Sequence, residues 1–379
     1  MTPGTQWKMR PSMLTNSIGR LGAKVREFVF ASAEETESVL WAKATTSPRP
    51  NWPLLAGLRF ALAAVVLWVH WFRMHHRPDP TMAIASVGHA AVASFFIISG
   101  FSIRHSYMKQ SAGFYRRRIL RLLPIHTMCF LLSGVPWLIW GSAIPLPNGP
   151  LQAPEWSLSG IRTVALASVM MNGLYGGVYT GLGVTWALTV EVLLYLLAPL
   201  FAKIESRSAG LWALMAGSAF LYWKYVAQLG GEGLCGVAIM GWLWLLGWQF
   251  NRYGTQAFVR SLTLLMSPLM ILIHNPATAR VLGVLVGANV LICHMDEIRF
   301  SKRINGVLLW LGDISFPLYL VHIPVLLAFG SFYRPSLYLV LGISMALSVI
   351  LLKLEAAFHA WYDVKAKNAA TLMPIARAA

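Results

Sequence analysis

The chain has 379 residues, 57% of them hydrophobic and only 12% charged, where a water-soluble domain carries about 25% charged residues. The deficit runs along the whole chain, which excludes a soluble enzyme with a signal peptide or a single anchor and, beyond roughly the first 50 residues, a disordered protein. Lys and Arg outnumber Asp and Glu by 31 to 14, for a net charge of +17, and lie between apolar runs; this is the pattern of cytoplasmic loops in a polytopic membrane protein, not of a nucleic-acid surface.

Residues 1–50 are polar and mixed in charge. They read as a cytoplasmic extension, partly helical around 16–42 or disordered, that ends at the helix-breaking Pro48-Arg49-Pro50-Asn51-Trp52-Pro53. A transmembrane domain then occupies 51–358, and 359–379 forms a cytoplasmic tail. A span needs roughly 20 apolar residues, and runs near that length occur at 54–72, 82–103, 122–141, 184–202, 209–227, 232–250, 261–275, 281–295, 305–328 and 335–354. The fold class is therefore all-α and polytopic, with about ten transmembrane helices. The segment 163–180 reads as re-entrant or non-crossing, because 172–183 is too rich in glycine for a helix. If it does not cross and both termini are inside, the basic clusters at Arg104–Arg121, Lys203/Arg207, Arg252/Arg260, Arg299/Lys302/Arg303 and Lys365/Lys367 all fall on the cytoplasmic side. The three cysteines lie within or beside apolar runs without CxxC or Cys/His ligand spacing, so neither a disulfide framework nor a metal site is expected.

Ionisable groups inside a span are costly and mark function. Four stand out: Arg59, His70, Glu191 and His322. His70 lies eleven residues after Arg59, about 16 Å along a helix. With the topology chosen from Lys and Arg alone, His70, Glu191 and His322 converge on the outer half of the membrane. A neutral imidazole beside a carboxylate suits general-base work on a hydroxyl, though each histidine could instead satisfy a backbone carbonyl. His75, His76, His274 and His294 lie just past or near span ends and read as ordinary loop or boundary residues.

A second feature is Phe114-Tyr115-Arg116-Arg117-Arg118-Ile119-Leu120-Arg121-Leu122-Leu123-Pro124. Arg117 and Arg118 share a helix face with Arg121, and grouped guanidinium groups match phosphate oxygens; the plain alternative is a positive-inside stop at a span boundary. Phe96-Ile97-Ile98-Ser99-Gly100-Phe101 carries a small pair that permits close backbone approach, and Arg104 follows it. Glu191 and Tyr195 share a face at i,i+4, and a proline pair, Pro317 and Pro324, brackets His322. Walker, HExxH and GxSxG patterns are absent.

These pieces together resemble the membrane acyltransferase-3 family, the integral-membrane O-acyltransferases of bacterial surface polysaccharides. The matching residues are Arg59 with His70, Phe-x-x-Ser-Gly-Phe at 96–101, Arg117-Arg118-x-x-Arg121-x-x-Pro124, Trp186-x-Leu188-x-x-Glu191-x-x-x-Tyr195, and Tyr319-Leu-Val-His322-x-Pro324. Each is weak singly; five in order across about 54–355 are specific. Ala187 stands where the family usually has Ser, and residues 1–50 have no counterpart in the motif set.

The resemblance implies a multi-pass protein of the bacterial inner membrane, both termini cytoplasmic. It takes acyl-CoA, acetyl-CoA first, as co-substrate with no tightly bound cofactor, and acylates a hydroxyl of a polysaccharide or lipid-linked glycan outside. Membrane lipids and polysaccharide-synthesis machinery are the remaining partners expected, and nucleic acid is not. In that scheme Arg117, Arg118 and Arg121, with Arg104 and Arg116, hold the CoA phosphates. His70 is the base, oriented by Glu191 or another carboxylate, and His322 assists or stabilises the oxyanion. An acyl-His70 relay is a second route, and Arg59 either orients the thioester or is structural. The competing class is a transporter or flippase that uses buried His and Glu as a proton relay without acyl transfer.

Overall fold

The computed structural model describes residues 47–372 except 76–82, 147–148, 156, 175–176, 206–207, 230–232, 275–278 and 331–334. The extension read as partly helical around 16–42 lies outside the described residues. Among those described, twelve α-helices follow one another: α1 (Trp52–His75), α2 (Ala83–Lys109), α3 (Phe114–Leu132), α4 (Val135–Trp140), α5 (Leu158–Ser168), α6 (Thr185–Ile204), α7 (Ser208–Leu229), α8 (Gly233–Tyr253), α9 (Ala257–His274), α10 (Ala279–Cys293), α11 (Lys302–Phe329) and α12 (Leu337–Leu372). A short antiparallel pair, β1 (Ala143–Ile144) and β2 (Leu151–Gln152), lies between α4 and α5.

Seven stretches among the described residues are long and apolar enough to cross a membrane: α1, most of α2, α3 continued by α4, α6, most of α8, α11, and α12 as far as Tyr362. The predicted runs at 209–227, 261–275 and 281–295 are also helical, as α7, α9 and α10, and are not among those seven. The segment read as non-crossing, 163–180, takes in the second half of α5, whose 11 residues span about 16 Å, roughly half a hydrocarbon core. The tail expected from 359 onward is not a separate element at its start, because α12 runs unbroken to Leu372.

Capping and close contact set the register of the helices that carry the site. Asn51 accepts from the Leu54 N–H at 3.1 Å while its amide donates to Met295 and Ile298 carbonyls at 3.2 and 2.9 Å, fixing the start of α1 to the chain after α10. Ser301 caps α11 through the Ile304 N–H at 3.3 Å. The most extensive helix pairings are α1 with α11 and α2 with α8. In the first, a Cβ on Gly312 would lie 2.4 Å from Ala56 Cβ; in the second, a Cβ on Gly100 would lie 1.8 Å from the Trp244 carbonyl oxygen, and one on Gly247 would lie 1.9 Å from that of Ile97. In a membrane the hydrophobic effect does not hold helices together, so such backbone-to-backbone approach through small residues carries much of the packing.

Between α5 and α6 the chain is irregular but tied down. Asn172 is buried, accepts from the Tyr179 N–H at 2.7 Å, and donates to Leu182 O and Thr185 Oγ1 at 3.0 and 2.9 Å. Thr189 Oγ1 contacts the Met170 carbonyl at 3.0 Å. These bonds satisfy buried backbone groups and fix where α6 begins. From there, Tyr319 of α11 donates to the Val184 carbonyl at 2.9 Å, locking α11 to the head of α6.

Candidate active site

Two layers of polar side chains lie along the α1–α2–α6–α11 bundle. The first is a histidine pair. His70 of α1 and His322 of α11 face each other with ring centroids 5.2 Å apart, and His322 Nε2 lies 3.4 Å from His70 Nδ1. His70 Nδ1 is also 2.9 Å from the Val66 carbonyl, and His322 Nδ1 is 3.2 Å from that of Leu318. A carbonyl only accepts, so both Nδ1 atoms carry hydrogen in the neutral rings. His322 Nε2 then presents a lone pair to His70 Nδ1–H, and His70 Nε2 is left as an acceptor. Two neutral imidazoles thus share a relay with one basic end.

The second layer gathers around Arg59 and Glu191. Arg59 donates to Ser102 Oγ at 2.6 Å, and Ser102 in turn bonds the Ile98 carbonyl at 2.7 Å. One turn away on α2, Ser99 donates to Glu191 Oε1 at 2.6 Å, and the Tyr195 hydroxyl donates to the same oxygen. The expected i,i+4 pairing of Glu191 with Tyr195 is a direct bond. The expected orientation of His70 by Glu191 is not seen. Ser99 is three residues from Ser102, so Glu191 lies about 4.5 Å from the Arg59 level, whereas His70 lies about 16 Å from it. The physical reason is that Glu191 is already two turns down α6, where Ser99 and Tyr195 satisfy its charge. The group that faces His70 Nδ1 is His322.

A cavity of about 430 Å³ contains the second layer and extends to both sides of it. On α2 its lining runs from Val92 through Phe95, Ser99 and Ser102 to Lys109, seventeen residues or about 25 Å. One end is basic and open, with Lys109 and Arg121; the other is apolar, with Val92, Phe95, Ala187, Leu188 and Tyr319. Tyr319 stands one turn before His322, against Phe95 at 5.8 Å, so the apolar end stops beside the histidine pair.

The arginines expected at phosphate groups divide. Arg118 and Arg121 line the cavity, with Arg59 deeper inside. Arg118 also lies over the Phe114 ring at 5.4 Å. Arg117 turns back on the chain before α3, donating to Ala112 O at 2.5 Å and to Gln110 O, carbonyls of the turn that follows the C-terminal end of α2. Arg116 is exposed and sits over Tyr362 at 5.8 Å. Arg104 is committed elsewhere. It makes a two-pronged ion pair with Glu205 at 2.5 and 3.1 Å and donates to Asn251 at 2.7 Å. Glu205 is fully buried at the C-terminal end of α6 and also binds Arg252 at 3.2 Å and Trp248 Nε1 at 2.9 Å. A buried carboxylate at the negative end of a helix requires such cations. Neither Arg104 nor Arg117 lines the cavity with Arg118 and Arg121.

Residues that sequence reading passed over also line the site: Trp52, Ser102, His105, Ser106 and Lys109. The signal was available in the spacing of Ser99, Ser102, Ser106 and Lys109, which form one polar stripe along an otherwise apolar helix. His294 pairs with Glu297 at 3.2 Å on the surface, as its span-end position suggested, while His76 and the side chains of His75 and His274 lie outside the described residues. Among the described residues no three His, Cys, Asp or Glu side chains gather as a metal site.

Residues 54–354 match the acyltransferase-3 family, described as an acyltransferase domain. The chain is 31% identical over 188 residues to Nodulation protein 10 of Rhizobium leguminosarum bv. viciae, a match that covers 45% of this chain and 50% of that protein. It is 29% identical over 178 residues to Acyltransferase MdmB of Streptomyces mycarofaciens, covering 44% of each. The chain thus spans about half the length of these curated relatives or less. No solved structure matches it. The family match extends over most of the chain, and the protein belongs to the acyltransferase-3 family.

Proposed function

We propose that this membrane acyltransferase moves a short acyl group, acetyl first, from cytoplasmic acyl-CoA to a hydroxyl of an extracytoplasmic polysaccharide or its lipid-linked precursor, in the bacterial inner membrane with both termini inside. The observation that carries this reading is the single cavity whose basic mouth and apolar end are about 25 Å apart along α2 and whose apolar end abuts the His70–His322 pair. An extended donor with phosphates at one end and a thioester at the other fits that polarity. The family membership favours chemistry over transport alone.

Arg118 and Arg121 meet the phosphates, and Arg59 with Ser102 and Ser99 line the passage of the amide-bearing arm. His70 Nε2 takes the proton of the acceptor hydroxyl as its oxygen bonds to the thioester carbonyl carbon. Collapse breaks the carbon–sulfur bond, and the departing thiolate takes the proton back from His70. His322 Nε2, accepting from His70 Nδ1–H, steadies the imidazolium between these steps, the part a carboxylate plays in a serine-protease triad. General-base assistance of this kind contributes about 10²–10⁴-fold.

The test is release of free CoA thiol by the purified protein given acetyl-CoA and an envelope glycan extract. His70→Ala should lose at least about 10²-fold in kcat while its melting temperature and acetyl-CoA binding stay those of the parent. Turnover unaffected by His70→Ala would remove the histidine pair from the chemistry. Absence of both turnover and acetyl-CoA binding in the parent would remove the donor.

A further inference from the structure

The basic mouth of the cavity contains more than phosphate-binding cations. Trp52, the first residue of α1, is 38% exposed yet lines the cavity rather than standing apart as a lipid-facing belt residue. His105 of α2 crosses it edge to face at 5.0 Å and 71°, and Phe101 backs it at 6.4 Å. Lys109 follows His105 at i,i+4 on the same face, with Ser106 between them, and all three also line the mouth. Glu191 is the one carboxylate among the described lining residues, and its Oε1 takes hydrogen bonds from Ser99 and Tyr195 deeper in the cavity. The mouth thus holds an indole set edge to face against two other rings, next to an ammonium group and a serine hydroxyl.

We infer that Trp52, with His105, Ser106 and Lys109, forms a purine-nucleotide subsite, Trp52 carrying the adenine ring of CoA and Lys109 its ribose phosphate. This rests on the acyl-CoA reading above. A flat heteroaromatic ring stacks on a pre-set indole with little loss of freedom, and a lysine reaches phosphate as a mobile point charge. The arrangement also separates donors. A thioester on free CoA carries the nucleotide that this surface fits; the same thioester on pantetheine, or on a carrier protein, does not.

The experiment compares acetyl-CoA with S-acetyl-pantetheine and with 3′-dephospho-acetyl-CoA as donors for the full-length purified protein, reading thiol release. In the parent, acetyl-CoA should have the lowest KM. Trp52→Ala should raise the KM for acetyl-CoA by about tenfold with much less effect on S-acetyl-pantetheine, so that the preference between the two donors narrows. Trp52→Phe should restore most of it. Lys109→Gln should raise the KM for acetyl-CoA towards that of the 3′-dephospho donor. Equal loss with both thioesters in Trp52→Ala would indicate general damage to the cavity and overturn the subsite, as would an unchanged acetyl-CoA KM. A parent that uses S-acetyl-pantetheine as well as acetyl-CoA would overturn the subsite and leave the thioester chemistry standing. A parent that uses neither would overturn both.

Discussion

The contact of α2 with α8 makes a quantitative prediction about how far the site tolerates helix separation. An alanine methyl at 247 would sit 1.9 Å from the Ile97 carbonyl oxygen, and one at 100 would sit 1.8 Å from that of Trp244. Carbon–oxygen contacts at rest are about 3.3–3.6 Å, so either variant forces the two helices apart by about 1.5 Å. Forcing a methyl group into a packed core costs about 1–3 kcal/mol. One separation relieves both clashes, so Gly100→Ala with Gly247→Ala should cost less than the sum of the single variants, by about 1 kcal/mol. The displacement also carries Ser99 and Ser102 away from Glu191 and Arg59, so catalytic turnover should fall in the folded fraction as well. Thermal unfolding in detergent, followed by tryptophan fluorescence, gives the stabilities, and thiol release gives the activity. Gly247→Ala unfolding together with the parent, or fully additive costs in the double variant, would refute the close-contact reasoning.

Three further substitutions separate the roles assigned above. His322→Ala should lower kcat by about 10²-fold with the acyl-CoA KM nearly unchanged, since it removes the side-chain acceptor for His70 Nδ1–H, leaving only the Val66 carbonyl, and no donor contact; a change of about twofold or less would leave His322 as packing. Arg118→Ala should raise the acetyl-CoA KM by about tenfold, and a KM equal to the parent's would take it out of the phosphate site. Arg104→Ala should instead cost about 3 kcal/mol of stability by stripping a partner from buried Glu205, with the KM of the surviving protein unchanged; a large KM increase without loss of stability would return Arg104 to the donor site.

Much of the fold was legible because a bilayer leaves few options: apolar runs of span length had to become helices, and each predicted run falls on one except 122–141, which divides between α3 and α4 at Ser133-Gly134. Their number was less legible: ten runs were predicted, and seven stretches among the described residues are long and apolar enough to cross. Single costly residues were also legible. Arg59, His70, Glu191 and His322 all line the α1–α2–α6–α11 bundle, because burying such groups without a purpose is expensive. Partner choice was not. Spacing along one helix gives depth, but which residue faces His70 depends on how α11 is rotated, and that is set by Gly312 against Ala56 and by Tyr319 on the Val184 carbonyl. The same holds for Arg104: a cluster of basic residues near a span end does not disclose that one of them is needed by a glutamate 101 residues away.

The central claim is that one cavity carries a thioester from the Lys109–Arg121 mouth to the His70–His322 pair, across part of the membrane. It is tested most directly in sealed vesicles with acetyl-labelled acetyl-CoA supplied only on the face bearing that mouth and envelope glycan enclosed on the other. The account predicts label on the enclosed glycan with the parent protein and none above background with His70→Ala. Label transferred equally by His70→Ala, or only to glycan on the donor's own side, would contradict it.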